Sequence, residues 1–421
     1  MRAFRSRNFR LFFTGQSISL IGTWMTRIAT GWLVYKLTHS AKMLGIVGFA
    51  GQIPTFLLAP FAGVWIERMD RRKLLVWTQV LAGIQSLTIA FLTLAKVITI
   101  HELLLLSACQ GIINAFDMPG RQAALVKMVN DRESLRSAIA LNSSMVNIAR
   151  LIGPAIAGLL IAAVGEGWCF LVDGLSYIAV IASLLMMRLD SSKGVSKAPP
   201  KMIEGLKDGW AYVSTFLPVR TILLLFAVVS LMGFPYMVLM PLFASDVLHG
   251  GAHMLGWLSS ASGIGAVISA ITLALRRGVR GLTRMIQIAC FLFGGGLILL
   301  GYSHWFVLSM VALLFIGFGM MQGIAASNTV IQTLVPEDKR GRVMSYYTVA
   351  FVGMAPFGSL LGGTLANRFG PQHTVMLTGA VCILGAAWFS TQLPKIREEM
   401  RPVYEELGIL PKKPLEPAVN S

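Results

Sequence analysis

The chain is written in long apolar runs broken by short polar knots. Leu44 to Ile66 carries no charge and neither does Leu74 to Ala95, yet the seven positions from Glu67 to Lys73 hold six ionisable residues. A soluble helical hairpin spreads its charges along one face. Charges gathered between two uncharged runs instead mark a short loop joining two membrane-spanning helices. A run of about 20 apolar residues crosses a bilayer as a helix. Such runs recur at 9–35, 44–66, 74–95, 102–120, 137–164, 168–188, 217–245, 254–275, 283–302, 305–332, 342–366 and 373–393. The predicted fold is an all-α membrane protein of twelve transmembrane helices.

The runs repeat. Ala41-Lys42-Met43-Leu44-Gly45 opens the second, and Ala252-His253-Met254-Leu255-Gly256 opens the eighth, 211 positions later. Gln110-Gly111 recurs as Gln322-Gly323, and Val129-Asn130-Asp131 with Arg136 recurs as Val335-Pro336-Glu337 with Arg342. Two six-helix pseudo-repeats follow, residues 1–189 and 217–393. They are joined by a linker at 190–216 and followed by a polar tail at 394–421 that is expected to ride loosely. The linker opens with Ser, Lys, Gly and Pro, a flexible composition. From Glu204 to Val213 it reads as a short amphipathic helix lying at the membrane interface.

Composition sharpens this reading: 55% hydrophobic, 13% charged and a mean hydropathy of +0.69 are too apolar for a water-soluble domain. The net charge of +17 raises nucleic acid as a partner. Its distribution removes that reading, because 30 of the 36 Lys and Arg fall on one side of the twelve-span topology. That side, by the positive-inside rule, is the cytoplasm, and both termini lie on it. Arg2, Arg5, Arg7 and Arg10 precede a span too long for a signal core, so the first span is read as retained. Cys109, Cys169, Cys290 and Cys382 lie in apolar runs with no CxxC pair, which reads as packing rather than disulfides or zinc. No Walker A, GxSxG or HExxH pattern occurs. No enzyme activity, cofactor or metal is expected, and the chain is expected to be a monomer.

The knot itself, Gly63-Val64-Trp65-Ile66-Glu67-Arg68-Met69-Asp70-Arg71-Arg72, resembles the loop signature of the major facilitator superfamily, Gly-x-x-x-Asp-Arg-x-Gly-Arg-Arg. Glu67 stands in place of Asp, and Asp70 in place of Gly. The resemblance implies two parallel six-helix halves that rock about a central cavity, as secondary transporters do. It also implies a cytoplasmic gate, with Glu67 latching onto the N-terminal end of the eleventh span and Arg68 and Arg72 reaching nearby carboxylates. Asp117 and Arg121, an i,i+4 pair at the inner end of the fourth span, are assigned to the same gate. Gly153-Pro154-Ala155-Ile156-Ala157-Gly158 resembles the fifth-span signature of antiporters of the superfamily, with one residue more before the second Gly. An Arg that drug antiporters carry in the fourth span is Ser107 here.

Charges inside a bilayer are costly and default to function. Arg27, Arg150 and Asp173 fall at a comparable depth, counting about 1.5 Å per residue. They are expected to form an ion pair that couples transport to protons. The cavity wall is expected to include Gln16, Thr23 and Arg27 on one face of the first span and Gln110 and Asn114 on the fourth. Tyr236, Met237, Met240, Met321 and Gln322 complete it, Met being adaptable to varied ligands.

Phe9-Arg10-Leu11-Phe12-Phe13, Gly22-Thr23-Trp24-Met25, Gly31-Trp32-Leu33-Val34-Tyr35, Asp117 to Ala123 and Leu141-Asn142-Ser143 narrow the comparison. They are similar to the enterobactin-exporter-like, secretion-effector branch of the superfamily. That resemblance implies a small-molecule substrate, siderophore-like or amphipathic and drug-like. It also implies a bacterial inner membrane and proton-driven export. A lysophospholipid flippase of the same fold and a non-transporting membrane sensor are the rival readings.

Overall fold

The computed structural model describes residues 2–129, 131–187, 202–276 and 278–411, without the side chains of 59, 60, 63, 64, 66–68, 132 and 202–206. A 3-10 turn at Arg2–Arg5 leads into α1 (Arg7–Thr38), α2 (Ala41–Arg68), α3 (Arg71–Leu94), α4 (Ile100–Lys127), α5 (Arg132–Val164) and α6 (Glu166–Met186). After α7 (Met202–Thr215) come α8 (Leu217–Gly233), α9 (Pro235–Leu242), α10 (Ala252–Ala274), α11 (Leu282–Tyr302) and α12 (Phe306–Leu334). The last elements are α13 (Glu337–Thr348), α14 (Ala355–Phe369) and α15 (Pro371–Glu406). Ten stretches among the described residues are long and apolar enough to cross a membrane. They are α3, α5, α6, α10, α11, α12, α15, the apolar part of α2, and the composite runs 217–247 and 337–369. Helices α1 and α4 are as long, at 32 and 28 residues, but carry more polar side chains.

The helix starts follow from the sequence. Asp70 caps α3, accepting from the backbone N–H of Arg72 (2.9 Å) and Lys73 (3.2 Å). Glu102 returns to the Thr99 N–H at 2.6 Å in a capping box before α4. Asp131 caps α5 through the Ser134 N–H at 2.7 Å, and its bonds to Ser134 hold its carboxyl below the ordinary carboxylate range.

Two groups of helices result. In the first, α1 packs on α5 and α6, α3 on α4 and α6, and α2 on α4; in the second, α12 packs on α10 and α11, and α15 on α8 and α11. The groups meet where α5 crosses α10 and where α2 crosses α14.

Three features differ from the expected runs. The stretch read as one span at 217–245 is α8, α9 and a π turn at Phe243–Val247. Pro235 and Pro241 cannot donate to the helical ladder there. The eleventh run likewise breaks at a π turn, Val349–Gly353, just before Pro356. The Ser230 hydroxyl donates to the Phe351 carbonyl in that turn, satisfying an acceptor the irregular ladder leaves over. The third difference is the tail. It does not ride loosely from residue 394: α15 runs on to Glu406 with Ile396, Met400 and Tyr404 buried, and Tyr404 O accepts from Ile409 N and Leu410 N at 2.8 and 3.1 Å.

The amphipathic linker helix is present as α7. It docks on α13 through an Asp208–Arg342 ion pair (3.1 Å), Trp210 against Tyr346 (5.8 Å between ring centroids) and Lys339 over Tyr212 (5.1 Å). The linker residues 190–201 and the tail residues 412–421 lie outside the described residues.

Because Tyr404 sits in the core rather than in solvent, Tyr404→Ala should cost about 3 kcal/mol, as large-to-small core substitutions do. The apparent melting temperature of the purified protein should fall by several degrees. A tail that rides free would leave it unchanged.

Candidate functional site

The two helix groups touch along one end of the molecule. Call the end with Arg2, Arg71, Arg121, Arg276 and Arg342 the basic end, and the opposite one, with the α1–α2, α3–α4 and α5–α6 turns, the far end. A Cβ on Gly158 of α5 would stand 2.8 Å from Ala252 O and 2.9 Å from Gly256 Cα of α10. A Cβ on Gly363 of α14 would stand 2.7 Å from both Ala41 O and Gly45 Cα of α2. The repeated Ala-x-Met-Leu-Gly motif therefore supplies both crossings, its Ala carbonyl and its Gly meeting a glycine of the other group each time. Small residues let the two backbones come this close. Between Gly153 and Gly158 the fifth-helix motif serves two neighbours. Gly153 admits Trp24 of α1, whose Cβ a side chain there would meet at 2.6 Å, and Pro154 O lies 2.6 Å from where a Gly256 Cβ would be.

Polar bonds close the same end. Tyr35 of α1 bonds Ser245 at 2.7 Å and donates to Asp246, and Ser40 reaches Asn367 at 3.5 Å. Midway down, Ser260 donates to Leu151 O at 2.9 Å, Gln52 to Ser359 at 3.4 Å, and Phe56 stacks edge-on against Phe357 at 6.0 Å. Nearer the basic end, none of the described hydrogen bonds, ion pairs or ring contacts joins the two groups. Among the described residues the joining contacts thus lie at the far end and midway, and the basic end is left as a cleft. Sequence reasoning missed the Tyr35–Asp246 closure; the signal was a phenol and a carboxylate at matching ends of the first and seventh runs.

Arg27 and Arg150 stand at the apex of this cleft. Arg27 is exposed and Arg150 half-buried. Their guanidinium carbons lie 4.7 and 5.1 Å from the centroid of the same Trp24 ring. Each such contact is worth about 0.5–2 kcal/mol. Arg27 and Arg150 thus lie side by side, but Asp173 is not with them. Asp173 is buried on α6, takes a 3.0 Å bond from Ser86 of α3, and lies against Gly22 of α1. Gly22 and Arg27 are five residues apart, about 140° around the helix, so Arg27 leaves α1 on a different face from the one Asp173 packs against. Among the described residues Asp173 forms no ion pair.

The loop knot also binds differently from expectation. Arg72 reaches no described carboxylate: its Nε donates to Leu184 O at 2.9 Å and its Nη2 to Leu185 O, the orphan carbonyls ending α6. Arg71 reaches Ala123 O of α4 at 3.4 Å. Asp117 is paired with Arg121 and accepts from Gln79 at 2.7 Å and Thr78 at 3.0 Å; it does not meet Arg72. The side chains of Gly63, Glu67 and Arg68 lie outside the described residues.

The expected cavity wall is only partly assembled. Gln110 and Asn114 share a 3.1 Å bond and are half-buried, as are Thr23, Met237 and Met321. Tyr236 is buried, its hydroxyl 3.3 Å from Ser262. Gln16 and Met240 are buried in packed interior instead. Gln322 is a tie between α12 and α10, accepting from Ser269 at 2.9 Å and Thr272 at 3.2 Å, and not a wall residue. Ligand-sized polar side chains at helical spacing thus divide between cleft and helix–helix contacts, and spacing alone does not say which.

The transmembrane secretion effector family model matches residues 1–420. The chain belongs to that family, a branch of the major facilitator superfamily. Its relatives include a staphyloferrin A transporter of Staphylococcus aureus, 28% identical over 93% of this chain and 98% of that protein. The multidrug efflux pump Tap of Mycolicibacterium fortuitum is 23% identical over 90% and 93%, and macrolide efflux protein A of Streptococcus pyogenes 21% identical over 89% and 93%. A bacterial homologue of the iron transporter ferroportin, solved in an inward-facing state, shares the fold at a TM-score of 0.71 and 15% identity, covering 91% of this chain and 98% of that one. The nucleoside transporter NupG shares it at 0.69 and 14%, over 91% and 98%. This secretion effector is a multi-pass membrane transporter, not an enzyme.

If the glycine crossings hold the far end shut, Gly158→Ala should destabilise this state by about 1–3 kcal/mol, the usual cost of overpacking. A cysteine placed at Ser245 should then react faster with a membrane-impermeant maleimide. Gly295→Ala, where a Cβ would meet nothing within 4 Å, should leave the rate unchanged.

Proposed function

We propose that this secretion effector is a proton-coupled exporter, an antiporter of siderophore-like or amphipathic drug-like molecules working by alternating access in the bacterial cytoplasmic membrane. The observation that carries the reading is the cleft: sealed at the far end, open at the basic end, with charged side chains at its apex. With the basic end in the cytoplasm, this is the state in which an exporter loads its cargo. The names of two relatives, a multidrug efflux pump and a macrolide efflux protein, support the same direction of transport. Twelve membrane crossings in two six-helix halves complete the reading. The packing order of the first group, α2 with α4 and α3 with α6, recurs in the second as α10 with α12 and α11 with α15.

Asp173 is the proposed proton carrier. Ser86 has one hydroxyl hydrogen and two acceptors in reach, Phe170 O at 2.9 Å and Asp173 Oδ2 at 3.0 Å. A proton on Asp173 supplies the missing hydrogen, because the carboxyl then donates to Ser86 while Ser86 donates to Phe170. Losing that proton leaves a carboxylate with its Oδ1 unpartnered in a buried site, which is costly. The change acts on the contact of α1, α3 and α6, and through α1 on the cleft. Arg27 and Arg150 stay apart from it.

Two measurements test the reading. Reporter fusions at Gly194 and Ser421 should both report the cytoplasm; one reporting the outside would overturn the topology. In proteoliposomes with an imposed pH gradient, Asp173→Asn should abolish gradient-driven export while leaving substrate affinity within about threefold. Export at the wild-type rate, with its pH dependence kept, would assign Asp173 to packing.

A further inference from the structure

Among the described residues the apex of the cleft holds two cations and no counter-charge. Neither Arg27 nor Arg150 donates a hydrogen bond or forms an ion pair with any described residue, and Arg150 Nε is buried without a partner. The nearby Trp24 ring supplies only the weak attraction of an aromatic face. The interior carboxylates are spent elsewhere. Asp117 is held by Arg121, Glu166 by Lys36 (3.0 Å), Asp246 by Tyr35, and Asp173 by Ser86 behind Gly22.

We propose that Arg27 and Arg150, braced on Trp24, bind carboxylate groups of the transported molecule, so that the substrate is a soluble organic polyanion. This rests on the exporter reading and names the substrate class of that site. Each guanidinium presents a planar fork of donors that matches a carboxylate bidentately. Both stand over one ring, so the two forks are no farther apart than the sum of their distances to it, within reach of two carboxylates on one small molecule. Gly153 sets the frame, letting α5 close on Trp24 so that arginines from two helices share a ring. Tyr236 and Ser262, hydroxyls from the other helix group, add neutral donors across the boundary. A ligand seated here touches both groups just below the far-end crossings, where its charge has leverage on their opening. Two unpaired guanidinium groups also repel a lipophilic cation, so the same pair selects by exclusion.

The test uses the full-length protein in nanodiscs, with citrate and succinate as probes against chloride at matched ionic strength. Tetraphenylphosphonium and lysophosphatidylglycerol serve as the competing chemistries. Citrate should stabilise the wild type saturably in thermal melts. Arg27→Gln and Arg150→Gln should each weaken it at least tenfold, with Arg27→Lys intermediate. Arg220→Gln, whose guanidinium bonds Ser214 O away from the cleft at 3.0 Å, should bind as wild type. Monodisperse variants with wild-type melting in the absence of ligand establish that the loss is of binding, not of fold. Equal citrate affinity in wild type and both glutamine variants overturns the proposal. So does binding confined to the cation or to the lysolipid. Proteoliposome transport separates this from the exporter reading: arginine-dependent citrate binding without any transport sinks the exporter and keeps the site. Cation export that persists unchanged in both variants, with no citrate bound, does the reverse.

Discussion

Two close backbone crossings, Gly158 on Gly256 and Gly45 on Gly363, are the contacts from which the rest of the arrangement follows. Lipid tails are as apolar as the helices, so helix association in a bilayer draws on packing and polar contacts rather than on a hydrophobic drive. At these crossings the carbonyls of Ala41 and Ala252 lie against the partner glycines, a geometry that Cα–H···O contacts also favour. The crossings bring Tyr35 to Asp246 and Ser260 to Leu151 O. With the far end so joined and no such contact among the described residues at the basic end, the cleft and its direction follow from where four glycines fall.

The electrostatics divide in the same way. Asp117 and Asp173 are bonded within their own group, to Arg121, Gln79 and Thr78 and to Ser86, while Asp246 is bonded across to Tyr35. The loop arginines spend their donors on helix-end carbonyls, which fastens α3 to α6 and α4 without spending a carboxylate. Among the described residues, the two arginines at Trp24 are membrane-depth charges without a counter-charge. An interior that gives its described carboxylates protein partners and leaves two cations without any is asymmetric toward anionic ligands.

Much of the fold was legible in the sequence, because in a bilayer the hydrophobic run and the helix are the same object: lipid satisfies no backbone polar group, so an apolar run must close its own ladder. The positions of the long helices, the charged knot at 67–73 where α2 gives way to α3, and the repeated Ala-x-Met-Leu-Gly motif follow from that one-dimensional pattern. The nearness of Arg27 and Arg150 was legible too, since rise per residue is constant.

Direction around the helix was not. Whether Asp173 meets Arg27 depends on which face of α1 turns to α6, and Gly22 rather than composition decides it. Whether Gln322 lines a cavity or ties α12 to α10 depends on Ser269 and Thr272, residues some fifty positions away. The π turns at 243–247 and 349–353 need Ser230 from another helix to absorb a stray carbonyl in one of them. Tyr404 is buried although it lies past the apolar run that ends near 393. The apolar pattern determined by itself that the chain would cross a membrane in long helices and where each would begin. Rotation and neighbour choice, set by small-residue contacts between helices far apart in sequence, were decided only by the tertiary structure.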